Sequence, residues 1–80
     1  WAWVNKFRFI PVEQNLFCDE LGYYRTYGIR AEELIASEWV ESMFLSDVSC
    51  DAALVAELSA RFTAFQLDPC QLKDVVLDTI

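Results

Sequence analysis

The segment IPVEQNLFCDELGYYRTYGIRA, residues 10–31, decides the fold predicted for this chain. Two runs rich in Phe, Ile, Val, Leu and Tyr flank the stretch DELG, in which Gly22 can adopt a positive φ. Apolar runs on either side of turn-forming residues are typical of a β-hairpin. The segment therefore predicts two antiparallel strands joined by a loop at residues 19–22.

A four-residue loop also predicts how the two strands pair, because it places Cys18 opposite Tyr23. A one-residue slip would exchange the two faces of a strand, so the distribution of apolar residues selects the register. In this register one face is mostly apolar and is predicted to form the core: Ile10, Val12, Leu16, Cys18, Tyr23, Tyr27, Ile29 and Ala31. Pro11 cannot donate to a ladder, which places the first strand at an edge of the sheet. Gly28 indicates a bulge or a close cross-strand contact.

Aromatic side chains are predicted on the opposite face of this hairpin. Phe9, Phe17 and Tyr24 share that face, and Phe7 and Trp3 continue it toward the amino end. Exposed contiguous apolar patches usually mark contacts, so these five residues are the candidate interface of a homodimer or a partner complex. The alternative is that a bulge returns Phe7 and Phe9 to the core. Pairing through the edge of the first strand is less favoured, because a proline interrupts its donors.

The second half of the chain predicts one more strand and two helices. Residues 32–47 fit both a helical and an alternating period, and a connector at residues 32–37 with a strand at residues 38–45 is favoured because a lone hairpin is marginal in water. Ser49 is the predicted cap of a first helix. Asp68 followed by Pro69 predicts the start of a second. The expected fold is α+β: an antiparallel sheet of about three strands packed on two C-terminal helices, in one domain spanning residues 1–80.

The acidic composition limits the partners that this chain is expected to bind. The formal net charge is −7 and the acidic residues are scattered rather than gathered in a tail. Binding to nucleic-acid phosphates needs a basic patch, so neither nucleic acid nor an anionic membrane surface is expected as a partner. The chain has no apolar run long enough to span a membrane and no secretory signal. We expect a soluble cytoplasmic protein.

Residues that commonly carry catalysis or hold metals are missing. The chain has no histidine, which removes the commonest general base and metal ligand. Cys18, Cys50 and Cys70 are widely spaced, so we expect reduced thiols and no disulfide. Asp74 and Asp78 share a helix face, which more often indicates a solvated face than a cation site. No catalytic, cofactor-binding or metal-binding residues are predicted, no cofactor is expected, and we do not expect an enzyme.

Three short motifs resemble a known bacterial family. They are YRTYGI at residues 24–29, DVSCDAALVAELSARF at residues 47–62 and LDPCQLKDVVLDTI at residues 67–80. Together they resemble a domain of unknown function found in short proteins of Gram-positive anaerobes, over roughly residues 7–80. The resemblance implies a bacterial cytoplasmic setting and a β-then-α order. It implies no activity and no site.

Two functional hypotheses follow from the sequence. The first is a small acidic protein-interaction module that dimerises or docks on a partner through an aromatic sheet face. The second is an acidic inhibitor, a nucleic-acid mimic that blocks a nucleic-acid-binding protein. The mimic predicts that carboxylates cluster on one surface, whereas the interaction module predicts that they are spread.

Overall fold

A three-stranded antiparallel sheet precedes two helices in this protein, as a computed structural model that describes residues 6–79 shows. The elements are β1 (Phe7–Cys18), β2 (Gly22–Ile35), β3 (Glu38–Ser49), α1 (Ala52–Phe65), a 3-10 turn (Pro69–Gln71) and α2 (Leu72–Thr79). The strand order is β1-β2-β3, so β1 is an edge strand, as Pro11 predicts. The α+β class is therefore confirmed. No helix in the described part of the chain has the length and apolar character needed to cross a membrane.

The hairpin of β1 and β2 is closed by a three-residue loop rather than the predicted four-residue loop. Gly22, with φ of +73°, is the first residue of β2 and lies opposite Cys18. Glycine adopts this left-handed conformation without a Cβ penalty, which lets the chain enter the ladder one residue earlier. Phe17 consequently faces Tyr23, and the predicted register is wrong by one residue.

This slip exchanges the two faces of β1 and determines which side chains form the core. The buried apolar residues are Phe9, Ile29, Ala31, Val55, Leu58, Phe62, Leu72 and Val76. Phe9 is only 5% exposed, and its ring meets that of Phe62 edge to face at 5.8 Å. Phe7 is partly buried against the same cluster. The prediction that Phe7 and Phe9 lie on an uncovered face is therefore wrong, because both point toward the helices.

Residues 32–47 form strand and a tight turn rather than helix. The strand β2 continues through Ile35, and only Ala36 and Ser37 separate it from β3. Both turn residues have positive φ, 50° and 68°, as two-residue hairpin turns that match the twist of the strands require. The predicted connector at residues 32–37 is therefore wrong, and the strand predicted at residues 38–45 is confirmed but extends to Ser49.

The two helices begin at side-chain caps. The Asp51 carboxylate accepts hydrogen bonds from the backbone N–H groups of Ala53 and Leu54, so Asp51 caps α1 and the predicted cap Ser49 is the last residue of β3. Asp68 accepts from the N–H of Cys70, and Pro69 occupies the first position of the 3-10 turn that leads into α2. This start matches the one predicted from the sequence.

Side chains from the carboxyl end of α1 close part of the β1 edge. The Gln66 side chain accepts from the Phe7 N–H at 3.0 Å and donates to the Phe7 carbonyl at 2.8 Å. The Thr63 hydroxyl accepts from the Phe9 N–H at 2.9 Å. A helix that covers unpaired strand groups protects a sheet edge from pairing with other chains. This part of β1 is therefore unable to add a further strand.

The far end of the hairpin projects from the body of the protein. The third strand ends at Ser49 opposite Tyr27, so residues 15–25 form a two-stranded ribbon, which we call the arm. Side chains on the helix-side face of the ribbon and at its tip are exposed, including Phe17 at 61% and Leu21 at 74%, whereas those on the other face are partly buried. The arm gives the protein an elongated shape of 53 × 24 × 20 Å.

Candidate interaction surface

The two helices cover one face of the sheet, and the other face carries no layer within the described residues. Alternate residues of the three strands point to it. We call this surface the uncovered face, and its residues are Arg8, Ile10, Val12, Gln14, Leu16, Cys18, Tyr24, Thr26, Gly28, Arg30, Glu32, Leu34, Trp39, Glu41, Phe44, Ser46 and Asp47.

The middle of the uncovered face is apolar. Ile10, Val12 and Leu16 follow one another along β1 and are each partly buried. Phe44 of β3 is 40% exposed and lies across Arg30 from Ile10. A sheet face that meets only water normally carries polar residues, so this composition is typical of a face that contacts something.

One end of the uncovered face carries a charged and aromatic cluster around Glu32. Arg8 Nε donates to Glu32 Oε1 at 2.5 Å, and the guanidinium lies 4.3 Å from the centre of the Trp39 ring. Arg30 Nε lies 3.4 Å from Glu32 Oε2, close enough for an ion pair but without hydrogen-bond alignment. Two arginines thus share one carboxylate, and Glu41 lies opposite Glu32 in the pairing of β2 with β3, so the charges at this end are balanced.

A polar network anchors β3 across the sheet. The Gln14 side chain passes over Gly28 and donates to the Ser46 hydroxyl at 3.0 Å, while its Oε1 accepts from the Asp47 N–H at 2.9 Å. A Cβ at Gly28 would lie 2.9 Å from that Oε1 and 2.6 Å from the Leu45 carbonyl oxygen. Only glycine at this position therefore leaves room for the Gln14 side chain to cross the central strand.

Asp47 completes this network from a strained position in β3. Its φ is 55°, in the irregular stretch where the pairing of β2 with β3 shifts. The carboxylate accepts from the Thr26 hydroxyl at 2.7 Å and from the Tyr24 hydroxyl at 3.0 Å. The hydrogen bond to Asp47 and the carboxylate's negative charge raise the pKa of Tyr24 above its ordinary value of 10.0.

The raised pKa of Tyr24 gives a testable pH dependence. The native state holds the phenol proton more tightly than the unfolded state does. The associated stabilisation is therefore present below pH 10 and lost as pH rises through the folded-state pKa. We expect Tyr24→Phe to remove the most alkaline step of the tyrosine absorbance titration, and Asp47→Asn to move that step toward lower pH. An unchanged titration in Asp47→Asn would contradict the hydrogen bond.

The four predicted interface residues that the structure describes do not form one surface. Tyr24 lies on the uncovered face, where it bonds to Asp47. Phe17 is exposed, but it lies on the helix-side face of the arm. Phe9 belongs to the core and Phe7 packs against it. Trp3 lies outside the described residues.

Sequence reasoning missed the residues that do line the uncovered face. It assigned Ile10 and Val12 to the core and did not single out Phe44. Gly22 is the one signal that could have placed Ile10 and Val12 correctly. If Gly22 is taken as the first residue after a three-residue loop, the register shifts by one and these two residues move to the other face.

The candidate metal ligands in the described part of the chain do not gather into a cluster. Within residues 6–79, no three His, Cys, Asp or Glu side chains lie together in a way that could hold a metal ion. The three cysteines are free thiols. At Cys70, the hydrogen bond with Asp68 raises the pKa of the thiol, which disfavours the nucleophilic thiolate.

An open cavity of about 200 Å³ lies between the end of β3 and α2. Its lining is mostly apolar and includes Leu45, Val48 and Val76, with Lys73 at the rim. The Asp47 carboxylate that borders it is already bonded to Thr26 and Tyr24. The cavity therefore offers no free pair of groups for acid–base chemistry.

The fold and the uncovered face together define a small α+β domain whose sheet, within residues 6–79, is layered on one side only. Comparison of the chain with protein-family models, with curated proteins and with solved structures finds no match. The resemblance to the bacterial family of unknown function stays a prediction.

Proposed function

We propose that this protein is a small interaction module that binds a protein partner through the uncovered face. The observation that carries the proposal is the apolar centre of that face, formed by Ile10, Val12 and Phe44 on a sheet that the described part of the chain layers only on its other side. Covering such side chains removes apolar surface from water, which is the main driving force of protein association.

The charge distribution supports the same surface. The uncovered face carries two arginines against three carboxylates, a net charge of −1, whereas the whole chain has a net charge of −7. The rest of the chain therefore carries a net charge of −6. A partner approaching the uncovered face meets the part of the molecule with the least electrostatic repulsion toward acidic proteins, which is favourable for association.

The residue types on the uncovered face also fit binding. Aromatic side chains and arginine are enriched among the residues that contribute most to interface affinity. Phe44 lies near the centre of the face, and Arg8 is held against Trp39 at one end. Because Arg8 is oriented by Glu32, it loses little freedom when a partner covers it.

The alternative function, an acidic mimic of nucleic acid, is less well supported. Its prediction is a single surface lined with carboxylates. The carboxylates of this protein are instead spread over the arm tip, the second turn and both helices, for example at Glu20, Glu38, Glu57 and Asp74.

The free thiols are compatible with a reducing compartment, so we propose a cytoplasmic location in a bacterial cell.

The proposed function is tested by replacing one aromatic residue on each side of the sheet. We expect Phe44→Glu to abolish binding, because it places a charge at the apolar centre of the uncovered face. Phe65→Glu, the matched control at the end of α1 where the side chain is 77% exposed, should leave binding unchanged. The measurement is affinity capture from the host with each variant as bait, followed by titration of the captured protein.

A second variant protects this test against misfolding. Phe44→Thr keeps a strand-forming residue while removing the ring, and we expect it to weaken binding by about tenfold or more. Thermal melts should show both variants folded. Equal capture by the parent, Phe44→Thr and Phe65→Glu would overturn the proposal.

A further inference from the structure

The free edge of β1 is divided into two halves at Pro11. The backbone groups of Phe7 and Phe9 point away from β2 and are bonded by Gln66 and Thr63 of the α1 end. Pro11 is the next residue whose backbone points outward, and it has no N–H to offer. The upstream half of the edge is therefore closed.

The downstream half of the same edge is open. The pairing of β1 with β2 runs without a register shift, so outward-pointing backbone groups recur at every second residue after Pro11: Glu13, Asn15 and Phe17. Within residues 6–79, no hydrogen bond is made to the N–H or C=O groups of these three residues on that side. An unpaired row of this kind is a template for one more strand.

We propose that this open half of the edge pairs with the same segment of a second copy of the protein. The two β1 strands run antiparallel about a two-fold axis at Asn15, and the two sheets join into one six-stranded sheet. In this arrangement Asn15 exchanges two backbone hydrogen bonds with Asn15 of the other copy. Glu13 of each copy does the same with Phe17 of the other.

Only this register pairs the backbone donors and acceptors of Glu13, Asn15 and Phe17 entirely with one another. Centring the axis at Glu13 would place two like charges opposite each other and set Pro11 against Asn15, with a donor missing. Centring it at Phe17 would pair Asn15 with Asp19, which lies in the hairpin turn. The outward-pointing backbone groups of the segment are spaced evenly about Asn15, so they match those of a second copy.

Pairing of the arms also explains why an exposed ribbon persists in the fold. A two-stranded ribbon is marginally stable alone, and pairing widens each arm to four strands. The register places each arm tip, where Leu21 is 74% exposed, along the upstream part of β1 of the other copy.

The dimer leaves the uncovered face free. An antiparallel strand pair is related by an axis perpendicular to the sheet, so both uncovered faces lie on the same side of the six-stranded sheet. Dimerisation would present two copies of the proposed binding surface side by side. The inference does not depend on the proposed function, because it uses the strand edge instead of the face.

The first test removes the central donor. The Asn15 N–H points outward and is not part of the ladder with β2, so Asn15→Pro should preserve the monomer fold. We expect the dimer dissociation constant to rise about a hundredfold, because each copy loses one hydrogen bond worth roughly a factor of ten. Asn15→Ala keeps the N–H and should remain dimeric. Light scattering across a dilution series measures both.

A second variant covers the case in which the proline disturbs the strand. Asn15→Asp is nearly isosteric, and it places two like charges opposite each other at the axis. We expect weaker association at neutral pH, with recovery when the carboxylates are protonated near pH 3. A dissociation constant for Asn15→Asp equal to that of the parent at neutral pH would overturn the proposed axis.

Cross-linking tests the register directly. In a background with Cys18, Cys50 and Cys70 replaced by serine, Asn15→Cys should form a disulfide dimer, since paired Cα atoms lie about 5.5 Å apart. Glu13→Cys alone should not. An equal mixture of Glu13→Cys and Phe17→Cys proteins should cross-link.

The remaining outcomes separate this inference from the proposed function. A parent protein that stays monomeric at high concentration would overturn the dimer, even if capture of a partner still depends on Phe44. A dimer that survives Asn15→Pro but dissociates in Phe44→Glu would overturn edge pairing and would place self-association on the uncovered face.

Discussion

Replacing Phe9 with alanine should lower the free energy of unfolding by about 3–5 kcal/mol. Phe9 is 5% exposed, lies against Phe62 and faces the helices. Truncating it removes apolar contact and leaves a cavity between the sheet and α1. A domain of this length has a total stability of about 4–12 kcal/mol, so the variant should be partly unfolded at moderate temperature.

The matched control for this prediction is Phe17→Ala on the same strand. Phe17 is 61% exposed and touches mainly Tyr23, so its truncation should cost less than about 1 kcal/mol in the monomer. Urea unfolding followed by circular dichroism, at concentrations below any self-association, measures both values. Equally small losses at the two positions would contradict the observed register, since a one-residue slip would turn Phe9 out of the core and onto the uncovered face.

Replacing Gly28 with alanine should lower the free energy of unfolding by about 1–3 kcal/mol, although only one methyl group is added. The new Cβ would lie 2.6 Å from the Leu45 carbonyl oxygen, a distance that requires movement of the β3 backbone. It would also press on the Gln14 side chain that spans the central strand. The loss therefore reflects separation of β2 from β3.

Two further variants accompany Gly28→Ala. One is a control at the other glycine, and the other tests whether the contact with the Leu45 backbone or with the Gln14 side chain causes the loss. Gly22→Ala meets open space and is disfavoured only by its positive φ, at about 1 kcal/mol. Adding Gln14→Ala to Gly28→Ala should restore little stability, because the closest contact is to backbone. Recovery to the value of the Gln14→Ala single variant would show instead that the side-chain contact was decisive.

One structural arrangement connects the core, the sheet edge and the two proposed surfaces. The helix α1 packs its apolar side on Phe9 and uses Thr63 and Gln66 to bond the outward groups of β1. The helix α1 thus shares in covering one face and also closes half of one edge. The face and half-edge that it leaves open are the surfaces to which the interaction and the dimer are assigned.

The sequence by itself determined the order of elements and several of their ends. The alternating runs around residues 19–22 determined a hairpin, and Asp68 followed by Pro69 determined where the second helical segment begins. Pro11 determined that β1 is an edge strand, because a residue without an N–H leaves one side of its strand without a donor for a second neighbour. These features depend on local backbone chemistry, which is the same for a given residue whatever the tertiary structure around it.

Only the tertiary structure decided which face of β1 is buried. Both faces of that strand are apolar, with Phe7 and Phe9 on one and Ile10 and Val12 on the other, so alternation alone does not rank them. The left-handed Gly22 shortened the loop by one residue and turned the first pair inward.

The closure of the β1 edge was likewise a tertiary result. Thr63 and Gln66 lie more than fifty residues along the chain from Phe9 and Phe7, which they bond, and these bonds exist only after α1 has packed on the sheet. Sequence reasoning counted Pro11 as a block to edge pairing. The structure confines that block to the upstream half, because backbone direction alternates along the strand and Glu13, Asn15 and Phe17 point outward beyond it.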